Sequence, residues 1–162
     1  SPMHDDTLIA FLIEAKLQTY AAEGAQTQVE PALPGSRQLE YVRGEWLYRD
    51  IYFGSARFAG QETVYCESTP VWAMTYFGGV DESLVEQGEI GRVYRFLRQA
   101  LRLVPHDAPY RGPRRFEADR MVYTAEVHGN IAEFWGVETI LAAERRADPV
   151  YTLRFSGGRL CV

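Results

Sequence analysis

The sequence lacks the features of several common classes of protein. Its longest wholly apolar run, Leu8–Ile13, has six residues, which is too few to cross a bilayer. No basic segment followed by an apolar stretch opens the chain, so no secretion signal is indicated. Cys66 and Cys161 are far apart and the three histidines are scattered, which disfavours a disulfide framework, a metal site or a metal cofactor. These absences predict a soluble, cytoplasmic protein with reduced thiols, no cofactor and no membrane partner.

Lysine is almost absent: Lys16 is the one lysine among 17 basic residues, and the rest are arginines. Acidic residues number 22, so the net charge is −5. An acidic chain lacks the electrostatic footprint of a nucleic-acid-binding domain, and we expect no such partner for this chain alone. Four arginines fall on one side of a predicted helix, which indicates a solvated face or, alternatively, a site for an anionic partner. They are Arg92, Arg95, Arg98 and Arg102.

The composition is otherwise that of a globular domain. Of the 162 residues, 46% are hydrophobic and 24% are charged, close to the average for folded proteins. A chain of this length buries enough apolar surface to fold without disulfides or metals. We therefore expect one domain over residues 3–162.

The most informative feature is a match between the two halves of the chain. The matching segments occur in the same order: Phe58-x-Gly60-x-Glu62-Thr63-Val64 with Phe134-x-Gly136-x-Glu138-Thr139-Ile140, and Pro70-Val71-Trp72-x-Met74-x-Tyr76-x-Gly78-Gly79 with Pro149-Val150-Tyr151-x-Leu153-x-Phe155-x-Gly157-Gly158. Shorter matches pair Gly54 with Gly129 and Phe11-Leu12 with Phe96-Leu97. Matches that keep their order predict two copies of one unit, residues 7–80 and 83–162.

Each unit is expected to contain one helix followed by about four antiparallel strands. Apolar spacing predicts helices over Thr7–Ala22, with Asp6 as N-cap, and over Ser83–Val104. Segments rich in Val, Tyr, Phe and Trp predict the strands, over 39–43, 46–53, 57–66 and 71–77, then 114–118, 121–128, 131–142 and 149–155. Residues 159–162 are expected to return as a short hairpin arm after Gly157-Gly158.

These elements predict an α+β fold, a tandem repeat with pseudo-two-fold symmetry in which helices pack on antiparallel sheet. Hairpin-linked strands disfavour a doubly wound parallel sheet, which needs long crossover connections. The pattern leaves open whether the two units share one sheet.

Several segments also carry a family resemblance. They are Tyr48-Arg49-Asp50-x-Tyr52-Phe53-Gly54, Phe58-x-Gly60-Gln61-Glu62, Pro70-Val71-Trp72-x-Met74-x-Tyr76, Phe134-x-Gly136-x-Glu138 and Tyr151-x-Leu153-x-Phe155-x-Gly157-Gly158. Together they resemble a bacterial family of uncharacterised domains, domain of unknown function 5680, over nearly the whole chain. Ser55 departs from the pattern, in which a second glycine follows Gly54. The family's domain stands alone or follows a helix-turn-helix in small transcriptional regulators, so the resemblance implies the stand-alone form and a regulatory setting, without an established activity.

Two glutamates are predicted to lie on strand faces that are otherwise apolar. Because strand residues alternate between faces, Glu62 and Glu138 each share a face with bulky apolar neighbours. An unpaired charge there is costly, so each carboxylate needs a partner. The structural interpretation, favoured because both halves have the glutamate, is a hydrogen bond from turn backbone or from an arginine such as Arg57 or Arg154.

A ligand pocket is the functional interpretation of the same residues. Gly60 and Gly136 leave room beside the carboxylates, and a carboxylate amid aromatic rings suits a small cationic or aromatic ligand. The aromatic walls would come from Trp46, Tyr52, Trp72 and Trp135. Two facing carboxylates that perform acid–base hydrolysis are a further alternative.

Positions that differ between the halves gain functional weight, because a shared fold does not explain them. Arg49 and Asp50 stand where the second half has Thr124 and Ala125. Both are therefore candidates for ligand binding. The structural alternative for them is an ion pair on adjacent strands, which stabilises a protein only slightly.

The sequence thus favours a non-enzymatic, small-molecule-sensing or regulatory domain with a ligand cleft between the repeats. A protein-interaction or assembly module, such as a homodimer, is the alternative, and a carboxylate-based hydrolase ranks third. No G-x-S-x-G motif or phosphate-binding loop occurs, so no catalytic residue is assigned. The candidate ligand-binding residues are Glu62, Glu138, Tyr52, Trp72, Tyr76, Trp135, Arg49 and Asp50.

Overall fold

Segments of alternating apolar residues form the strands of a single antiparallel sheet. A computed structural model describes residues 2–19, 27–145 and 147–161. In these residues the helices are α1 (Pro2–Gln18), α2 (Glu82–Val85) and α3 (Ile90–Leu101). The strands are β1 (Gln28–Val29), β2 (Arg37–Arg43), β3 (Trp46–Gly54), β4 (Arg57–Cys66), β5 (Thr69–Val80), β6 (Arg115–Ala118), β7 (Met121–Asn130), β8 (Glu133–Ala142) and β9 (Tyr151–Arg159).

The strand order is β1-β2-β3-β4-β5-β9-β8-β7-β6, and each neighbouring pair is antiparallel. This confirms an α+β fold with antiparallel sheet, and it answers the question that the sequence left open, because the strands of both halves belong to one sheet. At the centre β5 pairs with β9, and Tyr76 lies opposite Phe155.

The core lies on the face of the sheet against which α1 and α3 pack. Inward-facing strand residues such as Tyr48, Val64 and Trp72 are fully buried. The helices contribute Phe11, Leu12 and Ala15 from α1 and Val93, Phe96, Leu97 and Ala100 from α3. Each large side chain buried in this way stabilises the fold by roughly 1.5–3 kcal/mol. No helix of the described residues is long and apolar enough to cross a membrane.

Both predicted helices differ from the observed ones. Helix α1 starts at Pro2, so Asp6 lies within the helix and is not its N-cap; the predicted end at Ala22 lies outside the described residues. The second predicted helix is divided into α2 and α3. Gly88 separates them with a φ of +75°, a left-handed conformation that glycine adopts without steric cost.

The predicted hairpin arm after Gly157-Gly158 is wrong. Strand β9 continues through both glycines to Arg159, and Gly157 pairs with Met74 on β5. A Cβ on Gly157 would clash with the backbone of the neighbouring Ala73 and Met74. The glycine pair therefore marks a close approach of two strands in the middle of the sheet, where the sequence suggested a turn.

Candidate functional site

A cavity of about 310 Å³ lies between α3 and the inner face of strands β2–β5. It is lined by Arg37, Asp50, Tyr52, Gly54, Ser55, Phe58, Tyr76, Ile90, Tyr94, Leu97, Arg98, Leu101 and Arg111. Sheet residues form one wall, and α3 together with the loop after it forms the other. The lining thus comes from both halves of the sequence.

Tyr94 fixes α3 over this part of the sheet. The single proton of its hydroxyl is shared between the carbonyl oxygens of Ser55 (3.0 Å) and Ala56 (2.7 Å), in the turn between β3 and β4. The Phe58 ring lies edge-on to both Tyr76 and Tyr94, with centroids 5.9 and 6.0 Å apart. Burial raises the pKa of Tyr94 to about 12, so the hydroxyl remains a donor over the physiological range. These contacts hold the helix and strand walls at a fixed separation.

The most buried polar group of the lining is Asp50. Its side chain is 3% exposed, and its Oδ1 accepts a hydrogen bond of 2.6 Å from the Tyr76 hydroxyl. Within the described residues this is its one hydrogen bond, so Oδ2 has no partner there. Burial, followed by the charge of Glu62 directly opposite on β4, raises the pKa of Asp50 to about 7. The cavity therefore contains a carboxyl group that is half-protonated near neutral pH.

Gly60 makes room for Tyr76, and not for a ligand as the sequence suggested. A Cβ at residue 60 would clash with the Tyr76 hydroxyl and with the carbonyl oxygen of Ile51. At Gly136, a Cβ would clash with the ring of Phe155. In both places an aromatic side chain of the neighbouring strand fills the space beside the glycine.

We expect Gly60→Ala to destabilise the protein by about 1–3 kcal/mol, the usual cost of overfilling a packed site. The added methyl group displaces the Tyr76 hydroxyl from Asp50, so the variant also loses that buried hydrogen bond. Gly136→Ala is the matched control. Its added methyl group crowds Phe155, which does not line the cavity, and it leaves the hydrogen bond between Tyr76 and Asp50 in place. Urea denaturation at pH 7 measures both variants, and equal stability of Gly60→Ala and wild type would contradict the packing described here.

Glu62 is paired with Lys16 from helix α1. Both side chains are fully buried, and Lys16 Nζ lies 2.5 Å from Glu62 Oε1 and 2.8 Å from the Tyr110 carbonyl oxygen. The same ammonium group lies 5.8 Å from the centroid of the Trp72 ring. Burial lowers the pKa of Lys16, and Glu62 opposes that shift. The partner of Glu62 is thus the one lysine of the chain, and not turn backbone or an arginine such as Arg57 or Arg154, as the sequence suggested.

Glu138 has three side-chain donors. Arg111 Nη2 and Nε lie 2.6 and 3.1 Å from Oε1, the Tyr151 hydroxyl lies 2.6 Å from Oε1, and the Tyr123 hydroxyl lies 2.5 Å from Oε2. Burial, then the charge of Glu138, raises the pKa of Tyr123 and of Tyr151 well above the ordinary tyrosine value. Both hydroxyls therefore stay protonated and donate to the carboxylate. Arg57 and Arg154, suggested as partners, lie on the opposite face of the sheet.

These residues form one buried ionic cluster that extends from α1 across the sheet to β8. Its members are Lys16, Asp50, Glu62, Arg111 and Glu138. Arg111 links the two sides, because its guanidinium carbon lies 5.9 Å from the centroid of Tyr76, the partner of Asp50, while its nitrogens bind Glu138. Two cations face three carboxyl groups, so the cluster is neutral when Asp50 holds a proton. The raised pKa of Asp50 is consistent with that balance.

Three of the eight candidate ligand-binding residues line the cavity: Asp50, Tyr52 and Tyr76. Glu62, Glu138 and Trp72 are buried behind the lining, and Trp72 stacks on Phe134 with centroids 5.7 Å apart. The role of all eight in binding stays a prediction.

Arg49 and Trp135 lie on the opposite face of the sheet. Arg49 forms its ion pair with Glu40 on β2, at 2.6 Å, and not with Asp50, because adjacent residues of a strand point to opposite faces. Trp135 is 53% exposed and stacks on His128, with centroids 4.3 Å apart.

Sequence reasoning missed four basic residues of this region. Lys16 follows Leu12 by four residues on the apolar stripe of α1, and a lone cation at that spacing is a readable signal of a buried ion pair. Helical spacing places Arg98 with Arg92, Arg95 and Arg102 on a face that is solvated or binds an anionic partner, but it does not indicate that Arg98 lines a cavity. Arg37 and Arg111 lie outside the repeated segments, and no local pattern marks them.

The described residues contain no cluster of three or more histidine, cysteine, aspartate or glutamate side chains suited to a metal ion. What the cavity offers is a titratable carboxyl group, arginine donors and an apolar wall. Groups of these kinds line small-molecule sites in other proteins.

Comparison with known proteins gives one informative match. No curated protein and no solved structure matches the chain significantly. A family model described as a domain of unknown function (DUF5680) matches residues 50–160, more than half of the chain, and this range includes Asp50, Glu62, Arg111 and Glu138. The chain therefore belongs to the DUF5680 family, as its strand motifs indicated.

Proposed function

We propose that this chain is a small-molecule-binding domain, sensing or regulatory in role, whose ligand occupies the cavity beneath α3. The observation that carries the proposal is the cavity itself, about 310 Å³ in volume, which falls within the range of roughly 300–1,000 Å³ of ordinary ligand sites. Its lining combines apolar side chains with the Asp50–Tyr76 pair and arginines, the usual mixture at such sites.

We further propose that the two halves of the chain are copies of one unit, each with a helix and four strands. Strand register supports this, because Asp50 lies opposite Glu62 just as Ala125 lies opposite Glu138. In this view the cavity lies between the repeats, with strands from the first unit and α3 from the second.

The backbone of the turns supports the same proposal. Gly54 and Gly129, which the sequence matches, have φ values of +94° and +93°. At the centre of the sheet Tyr76 pairs with its counterpart Phe155, as expected for a pseudo-two-fold axis that passes between them.

The polar pair at the cavity distinguishes the two halves. Asp50 and Tyr76 correspond to Ala125 and Phe155, so the second half lacks both the carboxyl group and the hydroxyl that donates to it. The packing of the unit does not require the pair, since the second half folds without it. A binding role accounts for a buried polar pair found in one half only.

Binding is favoured over hydrolysis by the positions of the carboxyl groups. Glu62 and Glu138, the suggested acid–base pair, are fully buried and do not line the cavity. Asp50 is the one carboxyl group among its lining residues. A hydrolase that uses two carboxyl groups needs both beside the substrate.

The assembly alternative is favoured by one observation, the exposure of Phe77 (57%) and Trp135 on the opposite face.

The test is a ligand screen on a variant with a blocked cavity. Ile90 is half-buried at the start of α3 and lines the cavity, so we expect Ile90→Trp to fill it and leave the fold intact. Compounds that raise the melting temperature of wild type by several degrees at 100 times the dissociation constant should have no effect on Ile90→Trp. The control Gln99→Trp places the same side chain on the exposed side of α3 and should respond as wild type does.

The screen tests aromatic acids, amines, amides, sugars and nucleotides. Thermal unfolding of each variant measures whether a compound binds. Ligands that stabilise wild type and Ile90→Trp equally would place binding elsewhere and overturn the proposal. A protein that none of these compounds stabilises, and that sediments as a dimer, would favour the assembly alternative.

A further inference from the structure

The cavity is more positive than the chain that contains it. The chain carries a net charge of −5, whereas the lining contains three arginines and one carboxyl group. Glu138 neutralises Arg111 from behind. That leaves Arg37 on β2 and Arg98 on α3 as the positive charges available to a ligand.

Neither Arg37 nor Arg98 forms an ion pair or a side-chain hydrogen bond with any other described residue. Most other arginines near the helices are paired; Arg92, for example, lies 2.6 Å from Glu144. Arg37 is exposed and Arg98 is half-buried, and they approach the cavity from opposite walls, one from the sheet and one from the helix. Two guanidinium groups across a cleft suit a carboxylate, whose two oxygens accept from planar donors.

Asp50 does not oppose an anion in this cavity. With Asp50 protonated, the buried ionic cluster has no net negative charge, and the carboxyl group offers a hydrogen-bond donor. The Tyr76 hydroxyl already occupies Oδ1. Below about pH 7, where most of the Asp50 carboxyl groups are protonated, the cavity therefore lacks the fixed negative charge that would select a cationic ligand.

Apart from Gly54 and Ser55, the rest of the lining is apolar or aromatic. Phe58 and Tyr52 come from the sheet, and Ile90, Leu97 and Leu101 come from α3. A ligand held here by a charged head group would bury an apolar body of modest size against these side chains.

We propose that the ligand is a small monocarboxylic acid with an aromatic or branched apolar body, whose carboxylate is bound between Arg37 and Arg98. This inference rests on the proposed function. The sequence suggested a small cationic or aromatic ligand, and the inference replaces the cation with an anion. The body lies against Phe58, Leu97 and Leu101, toward the Asp50–Tyr76 pair.

The test compares ligands that share a body and differ in the charge of the head group. Phenylacetate, phenylacetamide and phenethylamine, and likewise indole-3-acetate and tryptamine, are titrated at pH 6, below the pKa of about 7 of Asp50, by calorimetry and thermal unfolding. We expect saturable binding of the acids and at least about tenfold weaker binding of the amides and amines, because the charged hydrogen bonds are lost.

Arginine variants test which side chains bind the carboxylate of the ligand. The double variant Arg37→Gln, Arg98→Gln should bind the acids at least about tenfold more weakly than wild type does. Its melting temperature should change little, because neither side chain has a partner among the described residues. Arg95→Gln, an exposed arginine of α3 outside the lining, should bind the acids as wild type does.

The outcomes separate this inference from the proposed function. If the amines bind, lose affinity in Asp50→Asn and keep it in the double arginine variant, the cavity is a ligand site for cations and the acid inference fails alone. Acids that bind equally to wild type and to the double arginine variant also overturn it. If Ile90→Trp and wild type respond identically to every compound, the cavity is not the site and both proposals fail.

Discussion

Replacing Lys16 with methionine is expected to lower the free energy of unfolding by about 3–5 kcal/mol, the usual cost of leaving a buried charge without its partner. Lys16 and Glu62 are both fully buried, and Glu62 Oε1 has Lys16 Nζ as its partner at 2.5 Å. Its second oxygen, Oε2, has no hydrogen-bond partner among the described residues. Methionine fills similar volume, so the loss reports the charge and not a cavity. Urea denaturation at pH 7 measures the change.

The double variant Lys16→Met, Glu62→Leu separates a charge effect from a packing effect. With both charges removed, most of the lost stability is expected to return, because an apolar pair of similar volume often replaces a buried ion pair without loss. Arg115→Met is the control, since the Arg115–Glu117 pair is exposed on both sides, and its stability should match wild type within error. A double variant as unstable as Lys16→Met would contradict the ion-pair explanation and assign the effect to the shape of the lysine.

The strands were predictable from sequence because each carries a signal of period two. The alternation of Phe58, Gly60, Glu62 and Val64 predicts which side of β4 faces the core, and Glu62 and Val64 are indeed fully buried. The ends were less predictable: Gly78-Gly79 and Gly157-Gly158 look like turns but are strand residues that let backbones approach closely. A glycine pair has the same local sequence in both situations.

The site was predictable in part, for a related reason. Asp50, Tyr52 and Tyr76 line the cavity, and they lie on strands whose faces alternation assigns. The arginines that complete the lining were not predictable, since Arg98 is brought to the cavity by the packing of α3 and Arg111 by the loop after it. Lys16 and Glu62 are 46 positions apart in the sequence, so which residue pairs with Lys16 depends on the tertiary structure alone.

The difference between the two halves connects the fold with the site. Each half buries a glutamate on the strand beside the central β5–β9 pair, Glu62 on β4 and Glu138 on β8. Each glutamate has a cation as its partner, Lys16 for Glu62 and Arg111 for Glu138. Only the first half adds a second carboxyl group, Asp50, beside that glutamate. The extra group makes the buried ionic cluster sensitive to proton concentration, and this sensitivity is measurable in the stability of the protein.

The protein is expected to lose stability as the pH rises from about 4 to about 7, through the titration of Asp50. Burial and the charge of Glu62 raise the pKa of Asp50 to about 7 in the folded state, whereas an aspartate in an unfolded chain has a pKa of about 3.9. Between these values the folded protein holds a proton that the unfolded chain has released. Stability is therefore greatest below the unfolded pKa and falls with increasing pH, by an amount on the order of 4 kcal/mol in all.

Asp50→Asn isolates this contribution, because its amide oxygen still accepts the hydrogen bond from Tyr76 and never ionises. Other titrating groups affect both proteins alike, so the variant should gain about 2–3 kcal/mol over wild type between pH 5 and pH 8. Asp107→Asn, at an exposed position, should follow the wild-type curve throughout. Urea denaturation at half-unit intervals of pH gives the three curves. If the curves for wild type and Asp50→Asn stay parallel, Asp50 is ionised in the folded protein at neutral pH. The cavity would then hold a fixed negative charge, and the case for an anionic ligand would weaken with it.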